Sequence, residues 1–232
     1  YLYSARTNDP IQILEVYRMQ MFNEEIQGQL KEIFQELKGD VTIALFTKEG
    51  ECPTCEETLA YMQEVEALSD KIHLATYDIQ KDDTLAKEYN IQMVPSIVLL
   101  NEKNEYHGVK FNGIPAGHEI NSFIPALLEV SGQESEVPAE LAERIKKINK
   151  PVNIKVFITL SCPHCPGAVQ KAHKLALMNP MIEAEMIEAE TFGELSMKHN
   201  VSGVPKIVFN DDLDLLGNQP IQEFLNTMEK IS

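Results

Sequence analysis

The chain has four cysteines, arranged as two pairs of the same spacing: Cys52-Pro53-Thr54-Cys55 and Cys162-Pro163-His164-Cys165. Two thiols three residues apart at the start of a helix can form and break an internal disulfide, so the chemistry they offer is thiol–disulfide exchange. A thiol attacks only as thiolate, and its ordinary pKa of about 8.5 leaves little of it ionised at neutral pH. A helix N-terminus adds partial positive charge and free N–H groups, which favour the anion on the first cysteine. Cys52 and Cys162 are therefore the expected attacking groups. Cys55 and Cys165, further into the helix, are expected to break the mixed disulfide and release the product. The intervening Pro53, Thr54, Pro163 and His164 are expected to tune the pairs, the prolines by presetting helical backbone angles in the first turn.

The surroundings of the two pairs differ. Cys52 follows Glu51 and precedes Glu56 and Glu57, like charges that oppose a thiolate. Cys162 has no acid within four residues and has His164 beside it, whose ring can donate a hydrogen bond or carry positive charge. The second pair is expected to have the more acidic thiol and to be the more oxidising.

A proline lies 43 residues after the first cysteine of each pair, at Pro95 and Pro205. Around them, Leu85 to Val98 aligns with Leu195 to Val208 at an offset of 110, with six identities in fourteen. This repeat predicts a duplicated unit. The shared spacing places each proline opposite its dithiol, after a cis bond. The backbones of Val94 and Val204 would then be free to pair with a substrate strand.

The elements that must hold these residues follow from periodicity. The first half reads as a helix from Asn23, a strand Val41–Phe46, a helix from the cysteines to about Ser69, and a strand Ile72–Ile79. A helix Asp82–Tyr89 capped by Asp82 or Asp83 follows, then a hairpin Ser96–Leu100 with Tyr106–Phe111, and a helix ending at Val130. Ser131–Pro138 reads as a linker. The second half repeats the order: helix Ala139–Ile148, strand Val152–Thr159, cysteine helix to Met178, strand Met181–Ile187, helix Phe192–His199, strands Lys206–Asn210 and Leu213–Leu216, and helix Ile221–Ile231. The fold class is α/β, two tandem thioredoxin-like units, each a mixed central sheet flanked by helices. The units are placed at 23–131 and 132–232. Residues 1–22 lack a clear period and are set aside as an extension, disordered or vector-derived.

Composition narrows the partners. A net charge of −16 repels phosphate backbones and anionic lipid, so nucleic acid and membrane surfaces are not expected partners. No apolar run approaches the ~18 residues of a membrane span. No cysteine is left over to staple a secreted scaffold, and the first twenty residues lack the apolar core of an export signal. The expected location is the cytoplasm. A four-cysteine zinc site is disfavoured, because 106 residues separate the pairs and each opens its own helix. No metal is expected. His73, His107, His118, His173 and His199 form no ligand cluster and are assigned surface or capping roles. Glu183–Glu190 alternates with apolar residues and is assigned to the solvent face of a strand.

Cys162-Pro163-His164-Cys165-Pro166 with Ala172-His173-Lys174, the turn Gly113-Ile114-Pro115-Ala116-Gly117-His118-Glu119, and Val204-Pro205-Lys206-Ile207-Val208 resemble motifs of the protein disulfide oxidoreductases built from two fused thioredoxin-fold, glutaredoxin-like units. The resemblance covers about residues 23–232. It implies exchange with protein or peptide disulfides at both pairs, no cofactor, and electrons from a thioredoxin-reductase-type flavoenzyme. One departure matters. Where single-unit thioredoxins carry a buried Asp, this chain has Leu45 or Phe46 and Val156, so proton transfer at the inner cysteines needs another route. Two rival readings remain: an electron-relay module passing reducing equivalents from a flavoprotein reductase to a peroxidase, and a peptide-binding, chaperone-like module. In the relay family the first unit has usually lost its cysteines, and here both pairs are intact.

Overall fold

The computed structural model describes residues 21–231. The extension therefore lies outside the described residues up to position 20. Its last two members do not behave as an extension: Phe22 is buried and its ring packs on Tyr61, while the Met21 and Phe22 amides donate to the Glu64 carboxylate.

The first half comprises α1 (Glu24–Phe34), β1 (Val41–Thr47), α2 (Cys55–Glu66), β2 (Ile72–Asp78), α3 (Asp83–Glu88), β3 (Ser96–Leu100), β4 (Tyr106–Asn112) and α4 (Ile120–Val130). The second comprises α5 (Ala139–Lys146), β5 (Val152–Ile158), α6 (Cys165–Met178), β6 (Ile182–Glu188), α7 (Gly193–Lys198), β7 (Lys206–Phe209), β8 (Leu213–Leu216) and α8 (Ile221–Met228). The order matches the sequence reading. At α1, Asn23 caps as its type predicts, its side chain accepting from the Ile26 amide. At α3, Asp82 does not cap the helix. Its carboxylate instead accepts from the Asp78 amide 2.8 Å away, tying the helix start to the end of β2.

The two expected sheets form a single sheet of eight strands, in the order β2-β1-β3-β4-β6-β5-β7-β8. The join is a parallel pairing of β4 with β6, from Val109 opposite Ala184 to Asn112 opposite Ile187. Since β1 and β4 run the same way, as do β6 and β5, both cysteine pairs emerge at the same edge. Four strand steps separate β1 from β5, or roughly 19 Å at ~4.8 Å per step.

Side chains alternate between the faces. Ile43, Leu45, Val109, Phe111, Ile154, Val156, Ala184 and Met186 share one continuous core with the inner faces of α2, α4, α6 and α8. On the other face, α3 covers Ala44, Phe46 and Val98 with Ala86 and Tyr89, and the α7 region covers Phe157, Ile187 and Val208.

Between those two apolar patches runs a polar band, and it overturns the assignment of the Glu183–Glu190 stretch to a solvent face at Glu185 and Glu188, while Glu190 is exposed. A central strand has no solvent face when helices flank it on both sides, and Glu185 and Glu188 are buried. Glu185 is matched to its neighbours: the Asn112 and Asn153 amides donate to its two carboxylate oxygens at 2.7 Å each, and Ser96 donates to Asn112 at 2.8 Å. Beside it the buried Lys110 ammonium donates to Glu183 at 2.6 Å and to the Asn90 carbonyl at 2.9 Å.

His173 is likewise in the core and not on the surface. It lies on α6, its Nε2 3.1 Å from the Lys110 carbonyl and its ring edge-on to Phe111. His199 is the C-cap residue of α7, in line with a capping role, but it is buried against Phe157. Both histidines sit where helices close over the sheet, which helical periodicity alone does not reveal.

Removing one member of the band strands its partners. Asn112→Ala, which leaves Glu185 and Ser96 each short of a partner, is expected to cost about 1–3 kcal/mol in urea unfolding, with the slope unchanged. The band would not be structural if the midpoint did not move.

Candidate active site

Each cysteine pair is closed as a disulfide, with Cα–Cα separations of 5.3 Å for Cys52–Cys55 and 5.6 Å for Cys162–Cys165. In both cases the helix begins at the second cysteine, with Thr54 or His164 as the N-cap residue. Pro53 and Pro163 therefore lie before the cap and not within the first helical turn. They shape the turn that carries the outer cysteine over the helix end, and in the first site the Cys55 amide donates back to the Cys52 carbonyl at 3.2 Å. The inner sulfurs are the better buried, Cys55 at 7% and Cys165 at 0% exposure, against 8% for Cys162 and a half-buried Cys52. Within each pair the outer cysteine is thus the more exposed of the two.

The Val94–Pro95 and Val204–Pro205 bonds are both cis, as the spacing anticipated. Phe46 pairs with Ser96 and Phe157 with Lys206, so each proline stands beside the end of the strand that leads to its disulfide. Among the described residues, Val94 and Val204 spend neither their N–H nor their C=O on a hydrogen bond.

Charges of both signs line the first site, Lys48 pairing with Glu51 and Lys81 with Glu49. The disulfide opens into a cavity of about 750 Å³ whose walls include Lys48, Glu49, Glu51, Glu56 and Asp78. A hydrogen bond and the charge of Lys48 hold Glu51 below the usual carboxylate range. The Lys81 and Gln80 amides do the same for Asp78. The acids beside Cys52 are thus partly balanced by Lys48 and Lys81.

One carboxyl near the second site had no role in the sequence reading. Glu119 ends a 3-10 turn, Gly117–Glu119, and is fully buried. Burial pushes its pKa up to about 7, although the Ser122 hydroxyl donates to it and pulls the other way. The turn rests on the residues just before Cys162: the His118 amide donates to the Leu160 carbonyl at 2.9 Å. Gly117, at φ 57°, comes so close that a Cβ would stand 2.6 Å from that carbonyl. The same loop reaches the first cysteine helix, where the Tyr61 hydroxyl donates to the Pro115 carbonyl at 3.2 Å. The available signal was a Glu three residues before Ser122 at a helix start, which reads as an ordinary local pairing until the second unit is packed against it.

These features define a tandem thioredoxin-fold dithiol/disulfide oxidoreductase. Residues 42–117 match the glutaredoxin-like domain family and residues 152–230 the thioredoxin domain family. The structure of AhpF, a component of the Enterococcus faecalis alkylhydroperoxide reductase, superposes with a TM-score of 0.84 at 31% identity, covering 89% of this chain and 99% of that one. A protein disulfide oxidoreductase from Aeropyrum pernix superposes at 0.82 with 29% identity, covering 91% and 94%. The chain belongs to the family of double thioredoxin-fold oxidoreductases that includes both. Curated relatives include an NADH dehydrogenase of Bacillus subtilis, 28% identical over 88% of this chain, and the like-named alkyl hydroperoxide reductase component of Staphylococcus aureus, 29% identical over 90%. The chain spans only 37% and 38% of the length of these two relatives.

Two buried groups give opposite pH dependences. Burial lowers the His173 pKa to about 4, so between about 4 and 6.5 the unfolded chain binds the extra proton and stability rises with pH. Glu119, raised to about 7, binds its proton in the folded state from about 4.5 upward, so stability falls as pH rises through that window. The two contributions, each on the order of 3 kcal/mol, largely offset. Glu119→Gln is expected to steepen the rise of stability from pH 4.5 to 6.5, and His173→Phe to reverse it. Parallel slopes for both variants and the parent in urea unfolding would show that neither group titrates as described.

Proposed function

We propose that the chain carries reducing equivalents between protein dithiols and disulfides at two separate sites, with Cys52 and Cys162 as attacking or attacked sulfurs and Cys55 and Cys165 as resolving sulfurs. The observation that carries this reading is the repeated constellation: an outer cysteine less buried than its partner, an inner cysteine at a helix start, and a cis-proline preceded by an unpaired backbone. In the oxidising direction a substrate thiolate attacks the outer sulfur, the disulfide breaks, and the inner cysteine leaves as thiolate. A second substrate thiolate then attacks the mixed disulfide and leaves both cysteines reduced, a two-electron transfer. The unpaired backbones of Val94 and Val204 align the substrate as an added strand, and Thr54 and His164, at the helix caps, tune the outer sulfurs.

At the second site we assign Glu119 as the proton acceptor and donor for Cys165. Its turn rests on Leu160, two residues before Cys162, and a buried carboxyl with a pKa near 7 suits proton transfer at neutral pH.

The similarity to the AhpF component of alkyl hydroperoxide reductase favours one setting for this chemistry, a relay that receives electrons from a flavoprotein reductase of the thioredoxin-reductase type and passes them to a peroxide-reducing partner. Two intact pairs also suit a general reductant of protein disulfides. We place either role in the cytoplasm, where a dithiol is regenerated by reduction.

Equilibration across a glutathione series, followed by alkylation and location of the label by peptide mass, tests the reading. Each pair is expected to give one reversible two-electron transition, with the Cys162 pair the more oxidising. A potential near −270 mV would mark a reductant and one near −180 mV an isomerase-like pair. Thiols that fail to close into an internal disulfide at any poise would end the proposal.

A further inference from the structure

The two sites are copies in sequence, but their neighbours are not. In each unit the proline carbonyl accepts from a glycine amide at the end of the hairpin: Gly113 to Pro95 at 2.9 Å, and Gly217 to Pro205 at 2.8 Å. Beyond Gly217 lies solvent, because β8 is an edge strand. Leu216 beside it is 60% exposed, and a Cβ on Gly217 would meet only Gln219 of its own loop. Beyond Gly113 lies the other unit. A Cβ there would stand 2.7 Å from Glu188 Cβ and 3.7 Å from the Phe192 ring.

The start of α7 therefore forms a wall next to the cis-proline loop of the first site. A groove of about 680 Å³ runs between them, with Gln92 and Met93 on the loop side and Thr191, Phe192, Leu195 and Lys198 on the α7 side. It adjoins the unpaired backbone of Val94. A peptide paired with Val94 as an added strand would direct alternate side chains to one side, and the half-buried Met93, Phe192 and Leu195 offer an apolar seat there.

We propose that this groove is a specificity pocket of the first site, built largely by the second unit. It receives a bulky apolar side chain next to the reactive cysteine of an extended protein substrate. The second site has no such wall and accepts substrates without that preference. The inference rests on the exchange reading above and adds the substrate class of one site.

The test uses the full chain with Cys162→Ser and Cys165→Ser, so that only Cys52–Cys55 reports. Two reduced peptides of equal length, each with two cysteines and differing by Leu or Ser beside the first, are oxidised by the protein, with dithiothreitol as a small dithiol for reference. Each cycle closes one peptide disulfide and opens Cys52–Cys55, which excess glutathione disulfide closes again with release of two reduced glutathiones, the rate without protein being subtracted. The ratio of kcat/KM for the Leu peptide to that for the Ser peptide is expected to be about ten, to fall near one in Leu195→Ser and Phe192→Ser, and to be near one at the second site in the reciprocal Cys52→Ser, Cys55→Ser background. Should Phe192→Ser fail to fold, Met93→Ser reads the opposite wall. A ratio near one in the parent, or one that survives in the groove variants, overturns the pocket while leaving exchange intact. Failure of Cys52–Cys55 to react even with dithiothreitol overturns the exchange reading and the pocket together.

Discussion

The pairing of β4 with β6 is the constraint on which the rest of the structure depends. A parallel join at the centre of a sheet leaves no exposed face, so everything on those strands has to be made compatible with burial. On one side α6 closes over the seam, with His173 bridging to the Lys110 carbonyl. On the other, Glu185 would be a costly buried charge without the Asn112 and Asn153 amides, and Lys110 without Glu183 and the Asn90 carbonyl. The partners come from both units, so the network is satisfied only when the units are joined in this register. A slip by one residue would reverse every side chain. The polar band thus specifies the join, while the apolar core supplies most of the driving force.

Much of the fold was legible because it is local. Period-two alternation gave β1, helical spacing gave α1 and α2, and the repeated separation of cysteine and proline gave the duplication and both redox pairs. Failures occurred where a residue's role depends on the other unit. Glu185 has the alternation of a half-exposed strand, and nothing within its own stretch shows that β4 covers the far side. His173 has polar chemistry in a helix whose neighbours are apolar, and only the packing of α6 across the seam makes it a core residue. Glu119 belongs by sequence to the end of the first unit and by position to the second site. Asp82 is a capping type before a helix, but the nearby Asp78 amide competes for its carboxylate.

The same seam breaks the symmetry that the duplication would otherwise impose. The first disulfide opens beside Glu49, Glu51, Glu56 and Asp78 with Lys48 among them, and its cis-proline loop faces the second unit. Beside the second cis-proline loop the edge strand leaves Leu216 exposed, and the turn that ends at Glu119 in the first unit rests on Leu160, two residues before Cys162. Each site therefore borders on the other half of the chain. Two thioredoxin-like units on a flexible tether would share the cysteines and prolines but would lack both the Glu119 turn's contact with Leu160 and the groove beside Met93.

The geometry also limits how the two disulfides can communicate. They leave the same edge of one sheet, roughly 19 Å apart by strand spacing. Exchange between thiols and disulfides requires a thiolate to reach a sulfur atom directly, and a sheet held by a buried core and an interlocked polar band cannot fold to bring its own edges together. On the proposed reading, direct attack of one pair on the other within a molecule is therefore disfavoured. Each pair would then exchange with a partner from outside, and a partner that visits both would dissociate and rebind or carry sulfurs on an arm that spans the gap. With a walled groove beside one cis-proline loop and an open edge strand beside the other, the two pairs present different surfaces to a substrate, which on the proposed reading gives a duplicated oxidoreductase a physical reason to keep both.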